Sequence, residues 1–199
     1  MISGPLGSFA ATILPSLQLD FDKVSDSSVV DDLNQYDVLV VDNLYRLQDL
    51  NGDAFKEYVR KGGVLIVLNP KTDGFSRTWT PYDVFVGGPS REGRITERKH
   101  PLFEGFRDDK LKDFADSNGP YVGNCSFTEP AREWTVLARD KDKKNNALIL
   151  EADYGRGRII LACVVFNHYN AKVGPTRLGE NLFRYAIKTS EGIRAKPSP

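Results

Sequence analysis

Cysteine and histidine are scarce in this sequence. Among 199 residues there are two cysteines, Cys125 and Cys163, and two histidines, His100 and His168. Two cysteines are too few for a disulfide framework, and Cys163 is expected to be a small buried hydrophobe in an apolar strand. Two histidines give little support to a metal centre, so we expect neither a metal ion nor another cofactor.

An excess of charge of one sign is also missing. Lys plus Arg number 27 and Asp plus Glu number 27, so the formal net charge is zero. Neither a nucleic acid nor an anionic membrane surface is favoured as a partner, because both attract strongly basic proteins. No apolar run approaches the ~20 residues of a membrane span. No basic segment followed by an apolar stretch opens the chain, so we expect a soluble protein that is cytoplasmic by default.

What remains is an ordinary globular composition, with 40% hydrophobic and 27% charged residues. We expect a single α/β domain over residues 1–192 and a frayed tail over residues 193–199. Gly4–Ser8 match the scar of a protease-cleaved fusion tag, although Met1–Ser3 precede them. Residues 1–8 are therefore either vector sequence or a native loop with the stub of a first strand.

One stretch has the pattern of a βαβ unit. The apolar run Tyr36–Asp42 is typical of a strand buried on both faces of a parallel sheet. Asp53–Lys61 follows with helical periodicity and ends at Gly62-Gly63, a common helix terminator. Val64–Leu68 is a second buried strand, so the crossover between the two strands should be right-handed.

The rest of the chain gives weaker patterns. We predict helices at Phe9–Leu17, Ser27–Asn34 and Arg177–Lys188, and a short helical segment at Asp108–Phe114. We predict strands at Leu19–Val24, Asp83–Val86, Arg94–Glu97, Trp134–Ala138, Ala147–Ala152 and Arg158–Phe166, with an extended segment at His100–Phe103.

Four stretches together resemble the class I glutamine amidotransferase-like superfamily: Tyr36–Val41, Tyr58–Val67, His100–Phe106 and Tyr154–Ile160. The resemblance is to the branch that contains ThuA-like proteins and the non-catalytic domains attached to some β-galactosidases. It implies a flavodoxin-like three-layer α/β/α sandwich, with a mostly parallel central sheet and a C-terminal antiparallel meander. The family opens with a central strand, and a gap there would leave backbone groups unpaired. We therefore expect either that Met1–Ser3 pair as a short strand or that a neighbouring element covers the gap.

The nucleophile of the amidotransferases is missing. Those enzymes carry a cysteine at a sharp elbow after the strand that corresponds to Val64–Leu68, where a thiolate is exposed above the sheet. Here the elbow reads Leu68-Asn69-Pro70-Lys71. The resemblance therefore implies an amidotransferase scaffold that does not hydrolyse glutamine. The missing nucleophile favours a protein that is not an enzyme, but it does not by itself exclude another activity.

The resemblance places His168 where the superfamily has its catalytic histidine. It is a candidate base or ligand, or a retained hydrogen-bonded side chain with no nucleophile to serve. Other polar residues at strand ends should converge on the same edge of the sheet and bind a sugar by hydrogen bonds, or simply cap the strands. The full candidate set is Asp42, Asn43, Asn69, Lys71, Asn167, His168 and Asn170.

Aromatic residues in the irregular middle form a second candidate group. Trp79, Tyr82 and Phe85 would suit sugar stacking or a protein interface if they were exposed together. The alternative is a lid that packs on the sheet. His100 is expected to fix a turn with Pro101 and not to bind a ligand.

The leading functional hypothesis is a non-catalytic amidotransferase-like domain with a binding or assembly role in a carbohydrate-related context. One alternative is a ThuA-like sugar-processing or sugar-binding protein that uses the polar cluster around His168. The other is an oligomerisation module of a larger enzyme. The corresponding partners are a carbohydrate or small polar ligand, a second copy of the chain, or a parent multidomain protein.

Overall fold

Three helices and ten strands define the fold over the part of the chain that the structure describes. A computed structural model describes residues 2–3, 9–22, 33–42, 52–70, 79–111, 122–123, 125–164 and 173–195. The helices are α1 (Phe9–Ser16), α2 (Gly52–Arg60) and α3 (Val173–Arg194). The strands are β1 (Ile2–Ser3), β2 (Val38–Asp42), β3 (Val64–Leu68), β4 (Phe85–Gly87), β5 (Gly93–Ile95), β6 (Lys110–Leu111), β7 (Ser126–Thr128), β8 (Thr135–Asp140), β9 (Ala147–Tyr154) and β10 (Gly157–Ala162). Short 3-10 turns cover Leu33–Gln35 and Pro101–Phe103.

The strands form one mixed sheet in the order β1-β2-β3-β10-β9-β8-β5-β6, with β7 pairing with β4 and β9. The pairs β1–β2, β2–β3 and β3–β10 are parallel. The other strand pairs in the described ranges are antiparallel, including the predicted meander β8–β9–β10. The fold is therefore α/β as expected, but the parallel arrangement is limited to four strands, and the expectation of a mostly parallel sheet is wrong.

The predicted N-terminal strand is present. In β1, Ile2 pairs with Val41 and Ser3 pairs with Asp42, parallel to β2. This pairing occupies part of the outer edge of β2, so β2 has a neighbour on both sides at its carboxyl end.

Helices cover both faces of the sheet, which accounts for the uninterrupted apolar strands. Val40 and Ile66 share a core cluster with residues of α1 and α3. Their chain neighbours Leu39 and Leu65 point to the other face, where they pack with residues of α2. Alternate residues of a strand face opposite ways, so a strand covered on both sides must be apolar throughout.

Several predictions at the periphery are wrong. The described part of the predicted strand Leu19–Val24, residues 19–22, is not a strand, and Phe21 is 38% exposed. Within Asp108–Phe114, Lys110–Leu111 are strand β6 instead of helix, because they pair with Arg94 and Gly93 of β5. Leu111 is fully buried there.

Two other segments differ from their predictions in form or extent. His100–Phe103 is not extended, since Pro101 begins a 3-10 turn. Helix α3 continues through Arg194 into the predicted tail, because Ile193 packs against the core beneath α3. Residues 27–32 of the predicted helix Ser27–Asn34 lie outside the described residues, and Leu33–Gln35 form a 3-10 turn.

Candidate functional site

The parallel strands end together at one edge of the sheet, which we call the carboxyl edge. In register, Asp42 lies beside Leu68, and Leu68 lies beside Ala162. Asn69 follows directly, and its backbone N–H donates to the Ala162 carbonyl at 2.8 Å. Open α/β sheets bind ligands at this edge. Two of the predicted residues, Asp42 and Asn69, are thus brought together here.

Asn69 turns the chain sharply as it leaves β3. Its φ of 47° lies in the left-handed region, which asparagine enters more readily than most residues that carry a side chain. This turn is the elbow Leu68-Asn69-Pro70-Lys71, and the Asn69 side chain is a carboxamide, which is not a nucleophile. The side-chain Oδ1 is buried and has no hydrogen-bond partner in the described ranges, so it is available as an acceptor for a bound group.

A disulfide joins Cys125 and Cys163, contrary to the expectation that Cys163 is a free buried thiol. The two Cα atoms are 5.3 Å apart, within the normal range for a disulfide. Cys163 follows the last residue of β10, so the bond lies at the carboxyl edge. Both residues are almost completely buried. Sequence reasoning missed the pair because 38 residues separate them and folding of β7, β9 and β10 brings them together.

Gly123 packs against the same strand end. A Cβ at this position would lie 1.8 Å from the backbone carbonyl oxygen of Cys163, so no side chain fits. Gly123 also forms a bridge with Ser90. The segment that carries Cys125 is therefore held against the carboxyl edge by backbone packing as well as by the disulfide.

The other predicted members of the polar set are outside the described residues. They are Asn43, Lys71, Asn167, His168 and Asn170. Their convergence on the carboxyl edge stays a prediction. Asn167, His168 and Asn170 follow the end of β10 by a few residues, so the chain leads from the disulfide to this segment.

The aromatic candidates pack inward. Trp79 is 1% exposed and stacks on Phe55 of α2, with ring centroids 5.1 Å apart. Tyr82 is half-buried and meets Trp134 edge-on at 6.1 Å, and Phe85 is partly buried in β4. Trp79 is therefore not available to a partner in this structure, and the arrangement fits the lid that packs on the sheet.

A second polar cluster lies on the face of the sheet covered by α3. One carboxylate oxygen of Glu151 in β9 lies 3.2 Å from His100 Nε2. The other carboxylate oxygen accepts a hydrogen bond from the Tyr185 hydroxyl at 2.9 Å. Arg158 is 3.6 Å from Glu151 and donates to the Tyr185 hydroxyl. Sequence reasoning missed this cluster, although a lone glutamate in the apolar run Ala147–Ala152 was a signal for it.

His100 has the local role that the sequence predicted. Its Nδ1 accepts from the Leu102 backbone N–H at 3.3 Å, which caps the 3-10 turn that begins at Pro101. Because Nδ1 accepts, the hydrogen is on Nε2, which points at Glu151. The histidine therefore also links this turn to β9.

The cluster shifts the acid–base behaviour of its members. Burial alone raises the pKa of Glu151, but the hydrogen bond from His100 and the positive charge of Arg158 hold that pKa below its ordinary value. Burial, reinforced by the charge of Glu151, raises the pKa of Tyr185 to about 12. Every described member has a partner, so the cluster acts as a structural tie between β9, β10 and α3.

Other features of the described residues give no sign of a metal or a membrane. No group of three His, Cys, Asp or Glu side chains in the described ranges is placed to hold a metal ion. Among the described helices, none has both the length and the apolar composition needed to cross a bilayer.

Comparison with known proteins supports the fold. No protein-family model matches the sequence, and no curated protein matches it. A structure described as a ThuA-like protein from Bacteroides uniformis has 14% identity and a TM-score of 0.62, covering 94% of this chain and 89% of that chain. One described as a GMP synthase protein from Thermoplasma acidophilum has 13% identity and a TM-score of 0.58, with 97% and 94% covered. A β-galactosidase from Bacillus circulans has 12% identity and a TM-score of 0.55, with 84% of this chain but 24% of that chain covered.

These likenesses define a class of fold. The neighbours include ThuA-like and GMP synthase-like proteins, consistent with a glutamine amidotransferase-like fold. At 15% identity or less, the similarity concerns the fold alone.

Proposed function

We propose that this chain is a non-catalytic amidotransferase-like domain with a binding or assembly role in a carbohydrate-related context. One observation carries the proposal: both cysteines of the chain are joined in a buried disulfide. Thioester chemistry requires a thiolate with access to substrate. The elbow residue Asn69 supplies an amide instead.

The carboxyl edge supports binding of a neutral, hydroxyl-rich ligand. A buried carbonyl oxygen without a partner costs about 1–3 kcal/mol, so a ligand hydroxyl that donates to Asn69 Oδ1 would recover that energy. The carboxylate of Asp42 ends the adjacent strand. The ThuA-like and β-galactosidase neighbours point to a sugar as the source of such hydroxyls.

Two measurements test the proposal. The purified chain should release no ammonia from glutamine. In calorimetric titrations with neutral mono- and disaccharides, Asn69→Gly should weaken binding at least tenfold, because glycine keeps the left-handed backbone and removes the carboxamide. Asn145→Gly, at an exposed hairpin position, is the matched control and should bind as the unmodified chain does. Glutamine hydrolysis, or unchanged sugar binding by Asn69→Gly, would contradict the proposal.

A ThuA-like sugar-processing or sugar-binding protein is the second candidate. The likeness to the ThuA-like structure extends over nearly the whole of both chains, which favours it. It would use His168 together with Asp42 or Asn69. His168→Ala separates the two candidates: loss of a measured sugar activity with unchanged thermal unfolding supports the second, and an unchanged activity supports the first.

A further inference from the structure

A cavity lies at the opposite end of the parallel strands from the carboxyl edge. This cavity of about 470 Å³ opens between the β9–β10 turn and the C-terminal part of α3. Arg158, which lines it, pairs in register with Val64, the first residue of β3, whereas Leu68 at the other end marks the carboxyl edge. Four residue steps along a strand separate the two ends by ~13 Å. The cavity is therefore distinct from the site proposed above.

The polar lining of this cavity is mainly cationic. Three cationic side chains and one carboxylate line it: Arg156, Arg158, Lys188 and Asp153. Thr189 adds a hydroxyl. In a chain with no net charge, this grouping is a local concentration of positive charge. Arg156 belongs to the turn before β10, and Arg158 belongs to β10 and reaches Tyr185 of α3.

The helix dipoles do not explain these cations. Arg60 and Arg194 stand in the last turns of α2 and α3, where a positive charge offsets the negative end of the helix. Arg156 and Arg158 are on a turn and a strand, and Lys188 stands more than one helical turn before the end of α3. Arg158 is paired with Asp153 and Glu151, so these two carboxylates account for part of its place in the cavity wall.

The backbone and one side chain of the site are already fixed. The Arg156 N–H donates to the Arg60 carbonyl at 3.0 Å, and the Arg158 N–H donates to the Gly63 carbonyl at 3.2 Å. Asp153 accepts from Arg158 Nε at 2.8 Å. A site fixed in this way loses less conformational entropy when a ligand binds.

Gly192 gives the cavity its room. A Cβ built there meets nothing within 4 Å, so packing inside the protein does not require glycine at this position. Glycine lowers helix stability relative to other residues, yet it stands in α3 where the helix lines the cavity. An open space bounded by cations is what an incoming anionic group would fill.

We propose that this cavity binds a small ligand through a phosphate monoester. A phosphate monoester carries a charge of about −1.5 to −2 at neutral pH. This charge suits a lining in which Arg156 and Lys188 stand beside Arg158, whose own charge is offset by Asp153 and Glu151. Guanidinium and hydroxyl groups are its usual hydrogen-bond donors. The volume is within the ~300–1,000 Å³ of small-molecule pockets, enough for a sugar phosphate.

Calorimetric titration of the full chain tests the proposal, with glucose 6-phosphate, inorganic phosphate, glucuronate and glucose as probes. We expect saturable binding of glucose 6-phosphate that weakens as salt rises, because charge attraction is screened. Glucuronate should bind at least tenfold more weakly, and glucose should not bind at this cavity. Arg156→Ala combined with Lys188→Ala should weaken binding of glucose 6-phosphate at least tenfold.

Gly192→Leu is the sharper variant. It should abolish binding by filling the cavity while leaving thermal unfolding unchanged or raising its midpoint, since leucine favours helix. Arg184→Ala, which removes an exposed charge of α3 outside the cavity, should bind normally. The proposal is overturned if glucose 6-phosphate shows no saturable binding, or if Gly192→Leu and the double variant bind as the unmodified chain does. Equal binding of glucuronate would show that the cavity accepts any oxyanion and is not selective for phosphate, which would also overturn the proposal.

Discussion

A mostly buried carboxylate in a strand must be paired, and Glu151 has three partners. His100, Arg158 and Tyr185 come from a 3-10 turn, from β10 and from α3. Removing the carboxylate charge therefore disturbs three elements at once. Charged hydrogen bonds of this kind contribute about 1.5–3 kcal/mol each when they are satisfied.

We predict that Glu151→Gln lowers the free energy of unfolding by about 2 kcal/mol at pH 7. The difference from the unmodified chain should narrow as the pH falls below about 4.3, the ordinary value for glutamate. The reason is that the folded-state pKa of Glu151 is lowered, so its stabilisation is complete above the unfolded-state pKa and is lost as pH falls through the folded-state pKa. Urea unfolding between pH 3 and 7 measures this difference in the free energy of unfolding.

Glu97→Gln, at an exposed position, is the control and should change stability little at any pH. A Glu151→Gln difference that stays constant with pH would refute the lowered pKa assigned to Glu151.

At the scale of single residues, the sequence predicted local roles and missed long-range ones. His100 could be assigned to its turn because the proline beside it fixes the local backbone. Asn69 could be placed at the elbow because it follows an unmistakable strand. The left-handed φ of Asn69 and the burial of its amide oxygen could not be predicted from the sequence, because both depend on how β10 and the elbow pack together.

Among the elements, the segment at Gly123 is tightly constrained by the backbone that it packs against. Its Cα lies where a side chain would collide with the end of β10. Because the obstacle is a backbone carbonyl and not a flexible side chain, one of the two segments would have to move to admit a methyl group.

We predict that Gly123→Ala lowers the free energy of unfolding by about 2–3 kcal/mol or more, the usual cost of overpacking. Gly88→Ala is the matched control, because a Cβ there meets nothing within 4 Å; it should change stability by less than about 0.5 kcal/mol. Chemical denaturation followed by tryptophan fluorescence compares the two. Equal stability of both variants would mean that residues 122–123 do not pack against β10 in solution.

Long apolar strands and amphipathic helices were predictable, whereas the short strands β6 and β7 were not. β2, α2, β3 and the meander have strong periodicity and lie close to their predicted bounds. β6 has two residues and exists only because β5 pairs with it. Residues 19–22 have the alternation of a strand but no long neighbour. Whether such a segment forms a strand depends on pairing partners far along the chain, and a local sequence pattern does not identify those partners.

The disulfide is the feature that acts on the whole molecule. It links the segment before β7 to the end of β10 across 38 residues. Disulfides persist in oxidising compartments and are rare in the cytosol. The bond therefore does not favour the cytoplasmic location expected from the sequence.

We predict that Cys125→Ala with Cys163→Ala lowers the free energy of unfolding by about 4 kcal/mol, the chain-entropy value for a loop of this length. Dithiothreitol should lower the urea midpoint of the unmodified chain and leave the double variant unchanged. Thiol titration in denaturant without reductant should find no free thiol. Two titratable thiols per chain would show that the pair is reduced in the isolated protein.

The same bond sets how far the chain can be stretched. If the protein is pulled from its two ends, the loop closed by Cys125 and Cys163, which are 38 positions apart, stays out of the extended length. At about 3.4 Å per residue the oxidised chain is shorter by roughly 12 nm than the reduced one. In a force spectrometer, the two redox forms would differ by one step in contour length, and the missing length would contain the strands β7, β8, β9 and β10 that build the meander and its neighbour.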